Sequence, residues 1–200
     1  MKNIILSAKD IDKICRKIAH QLDNDLKKET HIPVVVGIMK GSINFMMDLT
    51  RYMKTNIYTD YIQISSYNGT ATTGKVTLKK DLTFNVTGRT VVLIEDIIDT
   101  GISMNFLIQF LHDHCHPKRI ILVTLLDKVC TRKVDVKIDY CGKVLKNNAF
   151  VLGYGLDYNE FGRNFPYVCA LTPKEIKEID KRTDKQIVNY MQTIKKKHRH

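Results

Sequence analysis

The segment Thr90-Val91-Val92-Leu93-Ile94-Glu95-Asp96-Ile97-Ile98-Asp99-Thr100-Gly101-Ile102-Ser103 constrains the fold of this 200-residue chain more than any other. Its opening run is apolar and β-branched without alternation, the pattern of a strand buried on both faces. The run ends on two adjacent carboxylates. A third carboxylate, two hydroxyls and a glycine follow, and apolar spacing from Ile102 predicts a helix to His112, stopped before Pro117. A buried strand that feeds a helix through a short polar loop is the first half of a parallel βαβ unit.

The same alternation recurs along the chain. Ser7-Ala8-Lys9-Asp10 has the spacing of a capping box, with Asp in place of Glu, and opens an amphipathic helix to about residue 28. Pro33 to Met39 reads as a buried strand, Ile43 to Met53 as a helix, and Ile57 to Ser65 as a strand with one wet face. Ser66-Tyr67-Asn68-Gly69-Thr70-Ala71-Thr72-Thr73-Gly74 is too small and polar to bury much, so it predicts a mobile loop. Val76–Leu78 and the stretch around Phe84 are weak strands. Arg119 to Leu126 is a strong one, and Val134 to Tyr140 is expected to be another. Phe150 to Tyr154 is short and apolar, and helices near 173–181 and 184–196 end the chain. There is no internal repeat and no linker rich in Pro, Gly or Ser. The expected class is α/β with a parallel sheet.

Charge and cysteine content narrow the function classes. The net charge is +11, and the stretch from Lys174 to His200 carries nine Lys or Arg against four Asp or Glu. Such an excess suits an anionic small molecule as well as a nucleic acid. No predicted strand face interleaves aromatic and basic residues as RNA stacking needs, which favours the small molecule. No apolar run is long enough for a membrane span or a signal-peptide core, so no membrane partner and a cytosolic location are expected. Five cysteines at 15, 115, 130, 141 and 169, without CxxC spacing, read as free and mostly buried thiols. His112-Asp113-His114-Cys115-His116 reads as a polar helix end rather than a metal site, and Lys195 to His200 as a frayed tail.

The chemistry lies where the strand of residues 90–94 ends. In an α/β sheet, ligands bind beyond the carboxyl ends of the strands. The loop Asp99-Thr100-Gly101-Ile102-Ser103 would offer backbone N–H groups at a helix start, with the Thr100 and Ser103 hydroxyls beside them, which suits a phosphate. Glu95 and Asp96 would repel phosphate but accept hydrogen bonds from vicinal hydroxyls. One phosphate and one diol a few ångströms apart describe a ribose 5-phosphate. Two blander readings compete: a surface turn with capping Asp and Thr, and an acidic pocket that binds only a metal ion.

This segment resembles the phosphoribosyl-diphosphate signature of the type I phosphoribosyltransferases. Further segments, in the same order, resemble the hypoxanthine-guanine phosphoribosyltransferases and cover most of residues 34–170. The resemblance implies a single domain over residues 1–200: a central, mostly parallel sheet flanked by helices, with a small hood from the N-terminal and C-terminal segments. It implies transfer of phosphoribosyl from phosphoribosyl diphosphate to hypoxanthine or guanine, giving IMP or GMP and pyrophosphate. Met39-Lys40-Gly41-Ser42 is similar to the pyrophosphate loop, which in the family holds a cis peptide between the first two of these positions. Ser66 and Tyr67 match the start of the flexible lid. Lys128, in Leu126-Asp127-Lys128, matches the lysine that meets the purine 6-oxo group. Phe150 matches the aromatic that stacks on the purine, and the carbonyls of Val151 and Asp157 match the acceptors of the guanine 2-amino group. The Asp157 side chain is implied to help hold Mg²⁺, with Glu95 and Asp96 as further candidates for that ion. Arg163 is implied to meet pyrophosphate, and Asp99 to take the N7 proton as general base. A homodimer or homotetramer is implied as well.

Overall fold

The computed structural model describes residues 3–66, 76–181 and 184–197. It divides into two compact units, residues 13–148 and residues 1–12 with 149–200. Helix α1 (Ala8–Leu26) runs from one into the other. The capping box at its start is made: Ser7 N–H donates to the Asp10 carboxylate at 3.0 Å, and Asp10 N–H to the Ser7 hydroxyl at 3.2 Å.

The larger unit is built on a six-stranded sheet. Its strands are β2 (Val34–Met39), β3 (Tyr58–Ser66), β4 (Val76–Lys80), β5 (Thr90–Ile98), β6 (Arg119–Lys128) and β7 (Tyr140–Leu145), in the order β4-β3-β2-β5-β6-β7. All neighbours are parallel except the β3–β4 hairpin at one edge. The α/β class and mostly parallel sheet read from the sequence are therefore found. Helices cover both faces. Val34, Val36 and Ile38 of β2 share a buried cluster with Met104 and Leu107 of α3 (Ile102–Phe110). On the opposite face, a β-carbon at Gly37 would press on the Met46 sulfur of α2 (Ile43–Thr50) at 2.6 Å. The chain goes from β2 outward to β3 in one direction and resumes at β5 in the other. The carboxyl ends of β2 and β5 thus flank the point where the strand order reverses, the usual ligand crevice of an open α/β sheet.

Two expected strands are not there. Around Phe84 the amides of Thr83 and Phe84 donate to the buried Asp60 carboxylate at 2.7 and 2.8 Å, so they make no ladder. Between 134 and 139 no strand forms: Val136 and Ile138 pack on the core, and pairing with β6 begins only at Tyr140. The Val134 amide is spent on the Thr100 carbonyl at 3.0 Å. Of the loop expected at 66–74, only Ser66, the last residue of β3, is among the described residues; Tyr67 lies outside them. The helix after Ile102 continues as a π turn over Leu111–Cys115, and among the described residues no three His, Cys, Asp or Glu side chains gather as a metal site. All five cysteines are free, yet only Cys15 and Cys169 are buried, and Cys130 is exposed. Burial pushes the Cys169 thiol up to about 11, which keeps it protonated and inert.

The smaller unit is an antiparallel sheet, β1 (Ile4–Leu6), β9 (Val168–Leu171) and β8 (Phe150–Leu152), in the order β1-β9-β8. Helices α4 (Pro173–Asp180) and α5 (Asp184–Lys197) pack on it through Ile179, Ile187, Met191 and Ile194. A capping box from Thr172 to Glu175, with Pro173 at the first helical position, fixes the start of α4. β1 and β9 were not anticipated from sequence. Each is short, and neither alternates long enough to stand out.

Candidate active site

In the larger unit the site residues stand on the carboxyl ends of neighbouring parallel strands. β2 leads into Lys40-Gly41-Ser42, and the Met39–Lys40 peptide is cis. Ser42 turns its buried hydroxyl back to the Ile38 carbonyl at 2.6 Å, which closes the turn. A β-carbon at Gly41 would overlap the Asp96 carboxylate of β5, so only glycine allows the two strand ends this approach. Asp96 is 8% exposed, and the Ile97 amide donates to its carboxylate at 2.7 Å. Beside it, burial first and the Asp96 charge second push the Glu95 carboxyl well above the usual carboxylate range. A carboxyl whose ionisation is opposed by burial and by a neighbouring charge, as at Glu95, favours a partner that donates hydrogen bonds or brings positive charge.

β5 ends in the loop Asp99-Thr100-Gly101. Gly101 has φ +81°, and a β-carbon there would overlap the Val134 carbonyl, so the turn into α3 requires glycine twice over. The Ile102 amide donates to the Thr100 hydroxyl at 3.4 Å. Lys128 is the last residue of β6. It is not a solvated strand end: it is buried, 7% exposed, with its ammonium 3.6 Å from the Asp99 carboxylate. Thr131 donates its hydroxyl to the same carboxylate, and Arg132 reaches the Asp99 carbonyl at 3.0 Å. Lys40, Gly41, Glu95, Asp96, Asp99 to Ser103 and Lys128 are thus gathered on one end of one sheet.

The smaller unit carries the remaining candidates. Phe150, at the start of β8, is 38% exposed, and its ring meets Tyr158 edge-on at 5.1 Å between centroids. Val151 pairs with Ala170 of β9. Beyond β8 the chain doubles back on itself through non-glycine residues of positive φ: Tyr154 (+52°), Asn159 (+49°) and Glu160 (+67°). Such residues are uncommon and concentrate at functional turns. Asp157 and Arg163 are brought together by this folding, with the guanidinium 2.8 Å from the Asp157 carboxylate and 2.7 Å from the Gly155 carbonyl.

The phosphoribosyl transferase domain model matches residues 2–159 of this chain. The chain belongs to the phosphoribosyltransferase family. Its similarity to one branch is closer still. It is 38% identical over 174 residues, 86% of its length and 94% of the relative's, to the hypoxanthine-guanine phosphoribosyltransferase of Bacillus subtilis. Among solved structures, a hypoxanthine phosphoribosyltransferase from Staphylococcus aureus superposes with a TM-score of 0.80 at 39% identity, covering 87% of this chain and 93% of the other. The Trypanosoma cruzi hypoxanthine phosphoribosyltransferase, solved with the product IMP, gives 0.79 at 29% identity, covering 87% and 96%.

Two residues of this phosphoribosyltransferase that touch Asp99 escaped the sequence reading, Thr131 and Arg132. They lie 32 and 33 positions downstream of it, in a turn with no periodicity, so nothing local marks them. Only the pairing of β5 with β6 brings them to the loop.

Proposed function

We propose that this phosphoribosyltransferase joins hypoxanthine or guanine to C1 of phosphoribosyl diphosphate, giving IMP or GMP and releasing pyrophosphate. The observation that carries the reading is the buried Lys128 ammonium facing the half-exposed Asp99 carboxylate at 3.6 Å. A donor for a 6-oxo group and a base for the N7 proton stand side by side, as a 6-oxopurine requires. Curated relatives named for this reaction support it too.

Each residue then has a task. Glu95 and Asp96 accept hydrogen bonds from the ribose hydroxyls, and the amides and hydroxyls of residues 99–103 receive the 5-phosphate. Lys40 and the amide of Gly41 meet the departing pyrophosphate, and Arg163 adds a second cation to it. Phe150 stacks on the purine, and the Val151 and Asp157 carbonyls accept the guanine 2-amino group. Asp99 takes the N7 proton as the base attacks, a step that typically contributes about 10²–10⁴-fold. Residues 1–200 form one such domain, the hood coming from its first and last segments.

Mg²⁺ fits the donor set. The ion characteristically takes one or two carboxylates and completes its octahedron with substrate phosphates and water. Asp157, which pairs with Arg163, would help hold it, and Glu95 and Asp96 are further candidates. When bound, the ion neutralises charge on the leaving pyrophosphate.

The test is turnover of phosphoribosyl diphosphate with hypoxanthine, guanine, xanthine and adenine, in parent and Lys128→Met. Lys donates only, and adenine presents an amino group at position 6, so the parent should reject adenine by about 10⁴–10⁵. Lys128→Met should lose most hypoxanthine turnover and narrow that gap. No turnover by the parent with any base would overturn the function. An unchanged rate and base preference in Lys128→Met would overturn the role of the lysine.

A further inference from the structure

Asp99 is the residue on which the proposed chemistry turns, yet its own strand does little to hold its side chain. It lies one residue past β5, and its side chain is 49% exposed. A carboxylate so placed has several staggered rotamers open to it. The contacts that select one come from the short segment after β6. The Thr131 hydroxyl donates to Asp99 Oδ1, and the Lys128 ammonium stands 3.6 Å from Oδ2. Arg132 Nε donates to the Asp99 carbonyl at 3.0 Å, and its Nη2 to the Ile98 carbonyl at 3.3 Å. The same guanidinium pairs with Asp127, and both partners are nearly buried, at 13% and 14% exposure. The Lys133 and Val134 amides then donate to the Thr100 carbonyl at 2.9 and 3.0 Å. Residues 131–134 therefore grip residues 98, 99 and 100 in succession.

Thr131 has one hydroxyl proton and two acceptors in range, the Asp99 carboxylate and the Lys128 carbonyl at 3.1 Å. A charged acceptor makes the stronger bond, so the proton goes to the carboxylate. Arg132 can span three acceptors because its donors are fixed in a planar fork, which a lysine cannot imitate.

We infer that Thr131 and Arg132 are positioning residues for phosphoribosyl transfer: Thr131 orients the Asp99 carboxylate, and Arg132 holds the main chain beneath it. The inference rests on the reading of Asp99 as the base. Loosening a reacting group by about 1 Å can cost about 10²-fold in rate, so a residue that never touches substrate controls turnover here.

The experiment compares Thr131→Val, Thr131→Ser and Arg132→Lys with the parent, using hypoxanthine in single-turnover and steady-state assays, with melting temperatures alongside. Val keeps the shape of Thr and removes the donor. Thr131→Val should lower kcat by about 10–100-fold, with little change in the KM for phosphoribosyl diphosphate or in melting temperature. Thr131→Ser, which retains the donor, should recover most of the rate. Arg132→Lys should lower kcat and also raise that KM, because the phosphate loop loosens with Asp99. In an Asp99→Ala background, Thr131→Val should cost nothing further. Parent kcat in Thr131→Val, equal losses in the Val and Ser variants, or an added loss in the Asp99→Ala background would each overturn the inference. Asp99→Asn separates the two levels. If it keeps the parent's rate, the base reading falls and this inference with it. If it loses the rate while Thr131→Val does not, only the positioning role falls.

Discussion

The two units hold their candidate residues by different means. In residues 13–148, side chains are placed by neighbouring parallel strands and are buried there: Asp96 and Lys128 are 8% and 7% exposed. In residues 149–163, placement comes from tight turns through left-handed Tyr154, Asn159 and Glu160, and Asp157 and Arg163 remain 29% and 27% exposed. A buried charge is tuned strongly by each neighbour, whereas a half-exposed ion pair is worth little on its own. Substitutions on the sheet should therefore act on the reaction and on stability together. Those in the turns should act on substrate affinity alone.

The largest effect is expected at Asp99. Asp99→Asn keeps the shape and removes the base, and should lower hypoxanthine turnover by about 10²–10⁴-fold while phosphoribosyl diphosphate binds nearly as before. Rapid-quench kinetics with a binding titration would check this, and a loss confined to binding would place Asp99 with the turn residues instead.

Next comes Glu95→Gln, with opposite effects on function and stability. Loss of charge-assisted bonds to the ribose, each worth about 1.5–3 kcal/mol, should weaken phosphoribosyl diphosphate binding. The Glu95 carboxyl is raised above its unfolded value of 4.5, so its favourable contribution exists below that value and is lost as pH rises through the folded one. Above 4.5 the burial that opposes its ionisation works against folding, and Gln removes that penalty. Melting temperature should rise, by about 2–4 °C for each 1 kcal/mol recovered. Calorimetry that found the variant less stable would break the burial half of the comparison.

Arg163→Lys tests the turns. Its pairs with Asp157 and Glu160 are partly solvated, so removing them should change stability by only about 0–1 kcal/mol. Affinity for phosphoribosyl diphosphate should fall with little change in melting temperature. A large drop in melting temperature would show that the turns, like the sheet, depend on buried charge.

The smallest effect is a loss of acid tolerance in residues 13–148. Asp23, Asp25, Glu29 and Asp60, all in residues 13–148, titrate below their unfolded values of 3.8 for Asp and 4.5 for Glu. For Asp60, burial opposes ionisation, but bonds from Phe84, Tyr61 and Thr83 outweigh it. For Asp25 and Glu29 the lead cause is the hydrogen bond from Arg119 and Lys118 respectively. Depressed carboxylates stabilise fully above their unfolded values, and that stability drains away as pH falls through the folded ones. Hydrogen exchange taken from neutral pH to below 3.8 should therefore show β3 and β6 losing protection. Unchanged protection of these two strands would contradict the assignment.

Much of this was legible in the sequence because the informative interactions are local. An apolar run ending in Glu95-Asp96, with Asp99 to Ser103 opening a helix, states strand, turn and helix within 14 residues. The capping box at Ser7 and the helices of the C-terminal segment are likewise short-range patterns, and they were found where expected. The strands expected at Phe84 and at 134–140 were not. Whether an apolar stretch joins a ladder depends on which distant acceptor claims its amides, and here Asp60 and the Thr100 carbonyl claimed them. Tertiary structure alone decided that Gly41 must abut Asp96, that Lys128 is buried against Asp99, and that Thr131 and Arg132 grip the loop from 32 and 33 residues away. Those contacts exist because β2 pairs with β5 and β5 with β6 in one register each, and register is set by the summed burial of whole strands rather than by any residue at the site.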